Sequence, residues 1–381
     1  LNNIKNPQNF IYYEQLVSTV ENCIKCFDRI NDRSILVLKL INIILEKDSC
    51  ISTTCFNFVS TFLIYMKKNK SEQSINETEL YTDVLEIIKK GFSFKEETFK
   101  TSIIHALLLT LHFLNLNTNL NKELFEYLIL KSLDCFEFAN EISFNSTEIV
   151  NQLSLAVVSL GFIFQPENTF QILNKKITVS KNGETFEFSR TEKYLSMIVY
   201  VSKISFPYYY PNLGKCVILG ICSIFSNKFC LDNLEQNRDF KFYLLISLVK
   251  LIIFHHQQKC IFLENLMKKE IKCNFLEESE EEDEDDEQNE SEDEEELNIN
   301  IEQALNINDN LKNSDEFKFF SKILINIKEN DKMSFDFILS KMKNGIAVLE
   351  EYTRLRTIKV KYKEKEYTVP RKIVKIIRKT K

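Results

Sequence analysis

The chain has 381 residues, 44% of them hydrophobic, yet only six glycines and five prolines, and a net charge of −6. Average chains carry about 7% Gly and 5% Pro, which argues against an all-β sandwich with its many tight turns. A phosphate-cradling loop needs several glycines close together, and these stand alone at 91, 161, 183, 214, 220 and 345.

Apolar residues at three- and four-residue spacing predict helices at 8–29, 33–48, 53–68, 77–90, 97–115, 121–138, 146–164, 189–205, 211–227 and 234–257. Their connections are short and polar, as at Asn31-Asp32 and 68–71. Leu153–Phe164 and Phe242–Phe254 are apolar nearly all round and need partners on two sides. The second of these contains Lys250 and spans 13 residues, short of the roughly 20 that cross a bilayer. Helices of about 15–20 residues, paired antiparallel and repeating about every 40, predict an all-α HEAT-repeat α-solenoid, a superhelix. A compact helical bundle is the alternative. Between the helices, Ile177–Phe188 alternates polar and apolar residues around Asn182-Gly183, which predicts a small β-hairpin insertion. The chain opens on Leu1 with no basic flank or small-residue cleavage site, and reads as a fragment or processed chain without a signal peptide.

The modest net charge conceals a partition. Residues 277–296 hold sixteen acids and no base, whereas 354–381 carry a charge of +10, and the remainder is neutral. The first block has nothing apolar to bury and repels itself, so it reads as a disordered acidic loop. Three segments follow: helices over 1–270, the loop over 271–313, and terminal helices with a basic tail over 314–381. In the last, helices are expected at Asp315–Ile327 and Phe335–Met342, then an extended segment or weak hairpin around Lys363–Glu366.

Ten cysteines in a chain of this kind read as reduced, buried small hydrophobes, including Cys216, Cys222 and the Cys23/Cys26 pair. His105 and His112 lie seven apart on one helix face and read as satisfied core residues. The adjacent His255 and His256 point about 100° apart, a poor metal pair at a partly exposed helix end. With no glycine loop and no metal spacing, the expectation is a protein that is not an enzyme and takes no cofactor or metal.

Four features in order resemble the importin-β superfamily of nuclear transport receptors, closest to its importin seven/eight branch. They are Phe164-Gln165-Pro166 with a short helix Thr169–Asn174; the run Leu213-Gly214-Lys215-Cys216-Val217-Ile218-Leu219-Gly220-Ile221-Cys222; the acid-only loop; and Asn313-Ser314-Asp315-Glu316-Phe317. The order and spacing, over about 150–345, carry the likeness. The shorter acidic loop, the hairpin at 177–188 and the more basic tail depart from it. The resemblance implies a HEAT superhelix and a carboxy-terminal part of a receptor that shuttles between cytoplasm and nucleus. It also implies Ran GTPase binding through an amino-terminal part, and binding to Phe-Gly nucleoporins.

The acidic loop supplies the candidate site. Glu280, Glu281, Glu282, Asp283, Glu284, Asp285, Asp286, Glu287, Glu292, Asp293, Glu294 and Glu295 form a flexible polyanion. Such a polyanion raises the local concentration of basic protein cargo, of the histone or ribosomal-protein kind. Ser279 and Ser291 precede acidic triplets and are candidate phosphorylation sites that would deepen the charge. The tail residues Lys359, Lys361, Lys363, Lys365, Arg371 and Lys372 could fold onto the loop and be displaced by cargo. Direct nucleic-acid binding by the tail is the competing reading, disfavoured by the polyanion beside it. A HEAT scaffold in another pathway, such as ribosome assembly, is the alternative function.

Overall fold

The computed structural model describes residues 7–27, 32–45, 52–68, 77–93, 99–116, 120–136, 144–181, 184–203, 211–256, 311, 313–341, 357–362 and 365–370. The chain divides into two compact units, Leu1–Leu160 with Asn298–Lys312, and Gly161–Leu297 with Asn313–Lys381. Among the described residues the structure is overwhelmingly helical.

The first unit contains α1 (Pro7–Phe27), α2 (Asp32–Leu45), α3 (Ser52–Lys68), α4 (Glu77–Gly91), α5 (Phe99–Leu116), α6 (Lys122–Asp134) and α7 (Phe144–Phe164) as far as Leu160. Its helices form two rows. In one, α1 packs on α3 and α3 on α5; in the other, α2 packs on α4, and Lys89 of α4 lies 6.0 Å over the Tyr127 ring of α6. A helix flanked on both sides must be apolar on both sides, and residues 106–115 of α5 are all buried. Three polar ties between alternate helices fall at offsets of 40 or 41 residues, while Lys90 donates to the Asn42 carbonyl at 2.6 Å across 48. Thr54 donates to Glu14 at 3.1 Å and Thr61 to Glu21 at 3.0 Å, each 40 residues apart. Asn42 donates to the Asp83 carbonyl 41 residues on.

Of the histidines of α5, His105 is half-buried, and His112 is fully buried but not satisfied. His105 stacks on Phe56 at 5.5 Å, and burial lowers its pKa to about 4. Neither ring nitrogen of His112 has a hydrogen-bond partner among the described residues, and burial lowers its pKa to about 3. Both rings are therefore neutral when folded and take up protons on unfolding. Stability is fully present above about pH 6.5, where the unfolded chain is also neutral at these sites, and falls as pH drops toward the folded values. His112→Leu removes unpaired polar atoms and one source of this acid lability. It is expected to stabilise by about 1 kcal/mol at pH 7 and to flatten the acid limb, as read by urea unfolding at neutral and mildly acidic pH.

Cys23 and Cys26 depart from the expected core packing: both are exposed. The buried face of α1 is Val17, Glu21 and Ile24, and the two thiols fall on the other side. Cys55 does pack inside, where burial and then the Glu14 charge push its thiol up to about 12.

The second unit begins with the end of α7. Gln165 separates it from α8 (Pro166–Leu173), whose proline occupies the first turn, where a missing N–H costs nothing. Strands β1 (Lys176–Lys181) and β2 (Glu184–Ser189) pair antiparallel from Lys176↔Ser189 to Lys181↔Glu184; Asn182 and Gly183 lie outside the described residues. Next come α9 (Arg190–Lys203), α10 (Pro211–Ser226) and α11 (Lys228–Glu235), then α12 (residues 238–256), α13 (Glu316–Asn330) and α14 (Lys332–Lys341). The break between α10 and α11 turns the chain by 78°. Asn227 caps α11 there, accepting from the Cys230 amide at 3.0 Å. Strands β3 (Thr357–Tyr362) and β4 (Lys365–Pro370) form a second antiparallel pair. Among the described residues no single helix is long and apolar enough to cross a membrane.

Candidate functional site

The polar centre of the second unit is built by α10, α12, α13 and α14. Asp315 caps α13, its carboxylate accepting from the Phe317 and Lys318 amides at 3.1 Å each, which orients the first turn. Glu316, the next residue, is thereby turned into the interior. It is 1% exposed and shares a 3.0 Å hydrogen bond between its Oε1 and Nε2 of His255, which is fully buried. Phe317 completes the arrangement: the His255 ring stacks on it at 5.8 Å, and the His256 ring meets it edge-on at 6.0 Å. Helix α10 packs on α13. Burial first, and the Glu316 charge second, hold the Cys222 thiol on α10 well above its ordinary pKa. His255 is thus a buried, bonded residue rather than the partly exposed helix end expected of it.

A second cluster ties the far ends of these helices. The buried Lys241 ammonium of α12 donates to Glu235, the last residue of α11, and to Asp331 at 2.6 Å, between α13 and α14. Asp331 in turn caps α14, accepting from the Ser334 amide at 3.1 Å and from its hydroxyl. Phe242 stacks on Phe337 at 4.4 Å beside it. Burial alone would lower the Lys241 pKa, but the hydrogen bonds and charges of Asp331 and Glu235 outweigh it and the net shift is upward. For Asp331, burial works upward, yet bonding to Lys241 and Ser334 prevails and the carboxyl sits below its usual range. A depressed carboxylate contributes stability above its unfolded value, about pH 4, and loses it as pH falls through the folded value. Asp331→Ala removes this pair and the cap together. It is expected to cost about 2 kcal/mol at pH 7, with the gap to wild type narrowing in acid, as measured by denaturant unfolding.

Both clusters are closed structural joints. The packing of α10 on α13 also makes the helices that carry two of the quoted segments, Leu213–Cys222 and Asn313–Phe317, neighbours. His255 and Glu316 lie 61 residues apart in sequence and 3.0 Å apart in space. Sequence reading missed this joint because nothing local marks two residues so far apart as partners; the only signal was the capping pattern at Asp315.

The sequence-derived site residues are distributed unevenly. The whole block 277–296, with Ser279 and Ser291, lies outside the described residues, as do Lys363, Arg371 and Lys372. Lys359 and Lys361 fall on β3, in register with Thr368 and Glu366, and Lys365 falls on β4 opposite Tyr362. Among the described residues no group of three or more His, Cys, Asp or Glu side chains is placed to hold a metal. Protein-family models, curated proteins and solved structures contain no match to this chain.

Proposed function

We propose that this chain is part of a HEAT-type nuclear import receptor of the importin-β kind, in which the acidic segment 277–296 captures basic protein cargo. The observation that supports the reading is the run of sixteen acids with no base over 277–296. A tethered polyanion raises the local concentration of basic partners and speeds their encounter. The offset of about forty residues between stacked helices in the first unit supports a HEAT superhelix as the scaffold. The protein acts as a carrier rather than an enzyme on this reading, moving between cytoplasm and nucleus. Ran GTPase binds through a further amino-terminal part, and Phe-Gly nucleoporins dock between neighbouring helices.

A HEAT scaffold in ribosome assembly would use the same polyanion but has no need of nucleoporin contacts. The two readings separate on a column of immobilised Phe-Gly repeats. The transport reading predicts that the chain is retained and released by a soluble Phe-Gly peptide; passage with the void volume overturns it in favour of the scaffold.

A further inference from the structure

The second unit carries two hairpins of equal length. β1 pairs with β2 from Lys176↔Ser189 to Lys181↔Glu184, and β3 pairs with β4 from Thr357↔Pro370 to Tyr362↔Lys365. They are separate two-stranded sheets within one compact unit. Successive strand residues alternate between faces, so Ile177, Val179, Phe186 and Phe188 share one face of the first hairpin. Ile358, Val360, Tyr367 and Val369 share one face of the second. A lone two-stranded hairpin is marginal in water, and three or more strands with an apolar face are needed for stability. Among the described residues no further strand lies beside β2 or β3.

We propose that β2 and β3 pair edge to edge, antiparallel, and close the two hairpins into one four-stranded sheet in the order β1-β2-β3-β4. Charge chooses the edges. β2 carries Glu184 and Glu187, and β3 carries Lys359 and Lys361, so opposite charges meet across this seam. β1 carries Lys176 and Lys181, which would set lysines against the lysines of β3. β4 holds both Lys365 and Glu366 and would meet a like charge on either edge of the first hairpin. The apolar pattern chooses the direction. Antiparallel pairing over all six positions sets Phe188 beside Ile358, Glu187 beside Lys359 and Phe186 beside Val360. Parallel pairing over the same length would set Phe186 beside Lys359 and Phe188 beside Lys361. A slip of one residue would send the two apolar sets to opposite faces. Fifteen residues separate Lys341 from Thr357, enough chain to span up to about 50 Å, so the second hairpin can reach the first. The joined sheet gathers both apolar sets onto one face. It also holds Lys359 and Lys361 at the 176–189 insertion rather than at the acidic run 277–296.

The test uses the full chain at about 1 µM, where a tethered pair at millimolar effective concentration outcompetes contact between chains. Directly opposed Cα atoms of antiparallel strands stand about 4.5–5.5 Å apart, inside the range that a disulfide bridges. Glu187→Cys combined with Lys359→Cys is therefore expected, under mild oxidation, to give a disulfide between the introduced thiols within one chain. Mass spectrometry of a non-reduced digest reads it. Thr178→Cys combined with Lys359→Cys puts the thiols two strands apart, about 10 Å, and is expected not to bridge. Hydrogen exchange gives a readout without new thiols. Lys359→Glu is expected to speed amide exchange over 184–189 about threefold or more, and adding Glu187→Lys is expected to restore it. The proposal is overturned by failure to bridge from position 187, by bridging from position 178 instead, or by bridging only between chains. Exchange over 184–189 that is indifferent to Lys359→Glu overturns it as well.

Discussion

Replacing Glu316 by alanine is expected to destabilise the second unit by about 3–5 kcal/mol, because removing one member of a buried polar pair strands the other. His255 is fully buried, and its bond to Glu316 Oε1 links α12 to α13 beside the Phe317 ring contacts. Without the carboxylate, its Nε2 faces an interior from which water is excluded. Glu316→Gln keeps an acceptor at the same place and is expected to cost about half as much or less. Replacing both residues by leucine is expected to recover most of the loss, since a packed apolar pair avoids the burial cost of the polar one. Urea unfolding of the three variants checks this; equal losses in all three would contradict it.

Phe56→Ala is expected to cost about 3–5 kcal/mol in the first unit, the range for emptying a packed aromatic site. Phe56 is fully buried on α3, stacks on His105 of α5, and reaches Gly91 at the end of α4. A Cβ built on Gly91 would stand 2.9 Å from Phe56 Cζ and 2.9 Å from the Ala106 Cβ, closer than real contacts allow. Gly91 is therefore a glycine for want of space. Gly91→Ala is expected to cost about 1–3 kcal/mol by overpacking. Combined with Phe56→Ala, it should cost less than the sum, because the ring it displaces is gone. Additive losses in thermal or urea unfolding would contradict this shared-site account.

These contrasts show where sequence reading reaches and where it stops. The extents of α1 to α7 were legible because a 3.6-residue period survives in any helix with a buried stripe. The eight residues of α11 were not, since Lys228–Glu235 mixes polar and apolar residues and is set off only by the cap at Asn227. Periodicity placed Cys23 and Cys26 on one face but gave no sign of which face is covered, and α1 carries an apolar stripe on each side. The candidate acidic site was legible from composition alone, because charge density needs no fold to act. The pairing of His255 with Glu316 was not legible. His255 and Glu316 are ordinary residues until the packing of α12 on α13 puts them 3.0 Å apart.

The central claim is the proposal that residues 277–296 capture basic cargo, and binding of a labelled core histone by the intact chain and by a chain lacking 277–296 tests it most directly. At about 50 mM salt the deletion is expected to weaken binding at least about tenfold, and the intact chain should lose most of that advantage near 200 mM as screening shortens the reach of the charges. Equal binding by the two chains at low salt would contradict the account.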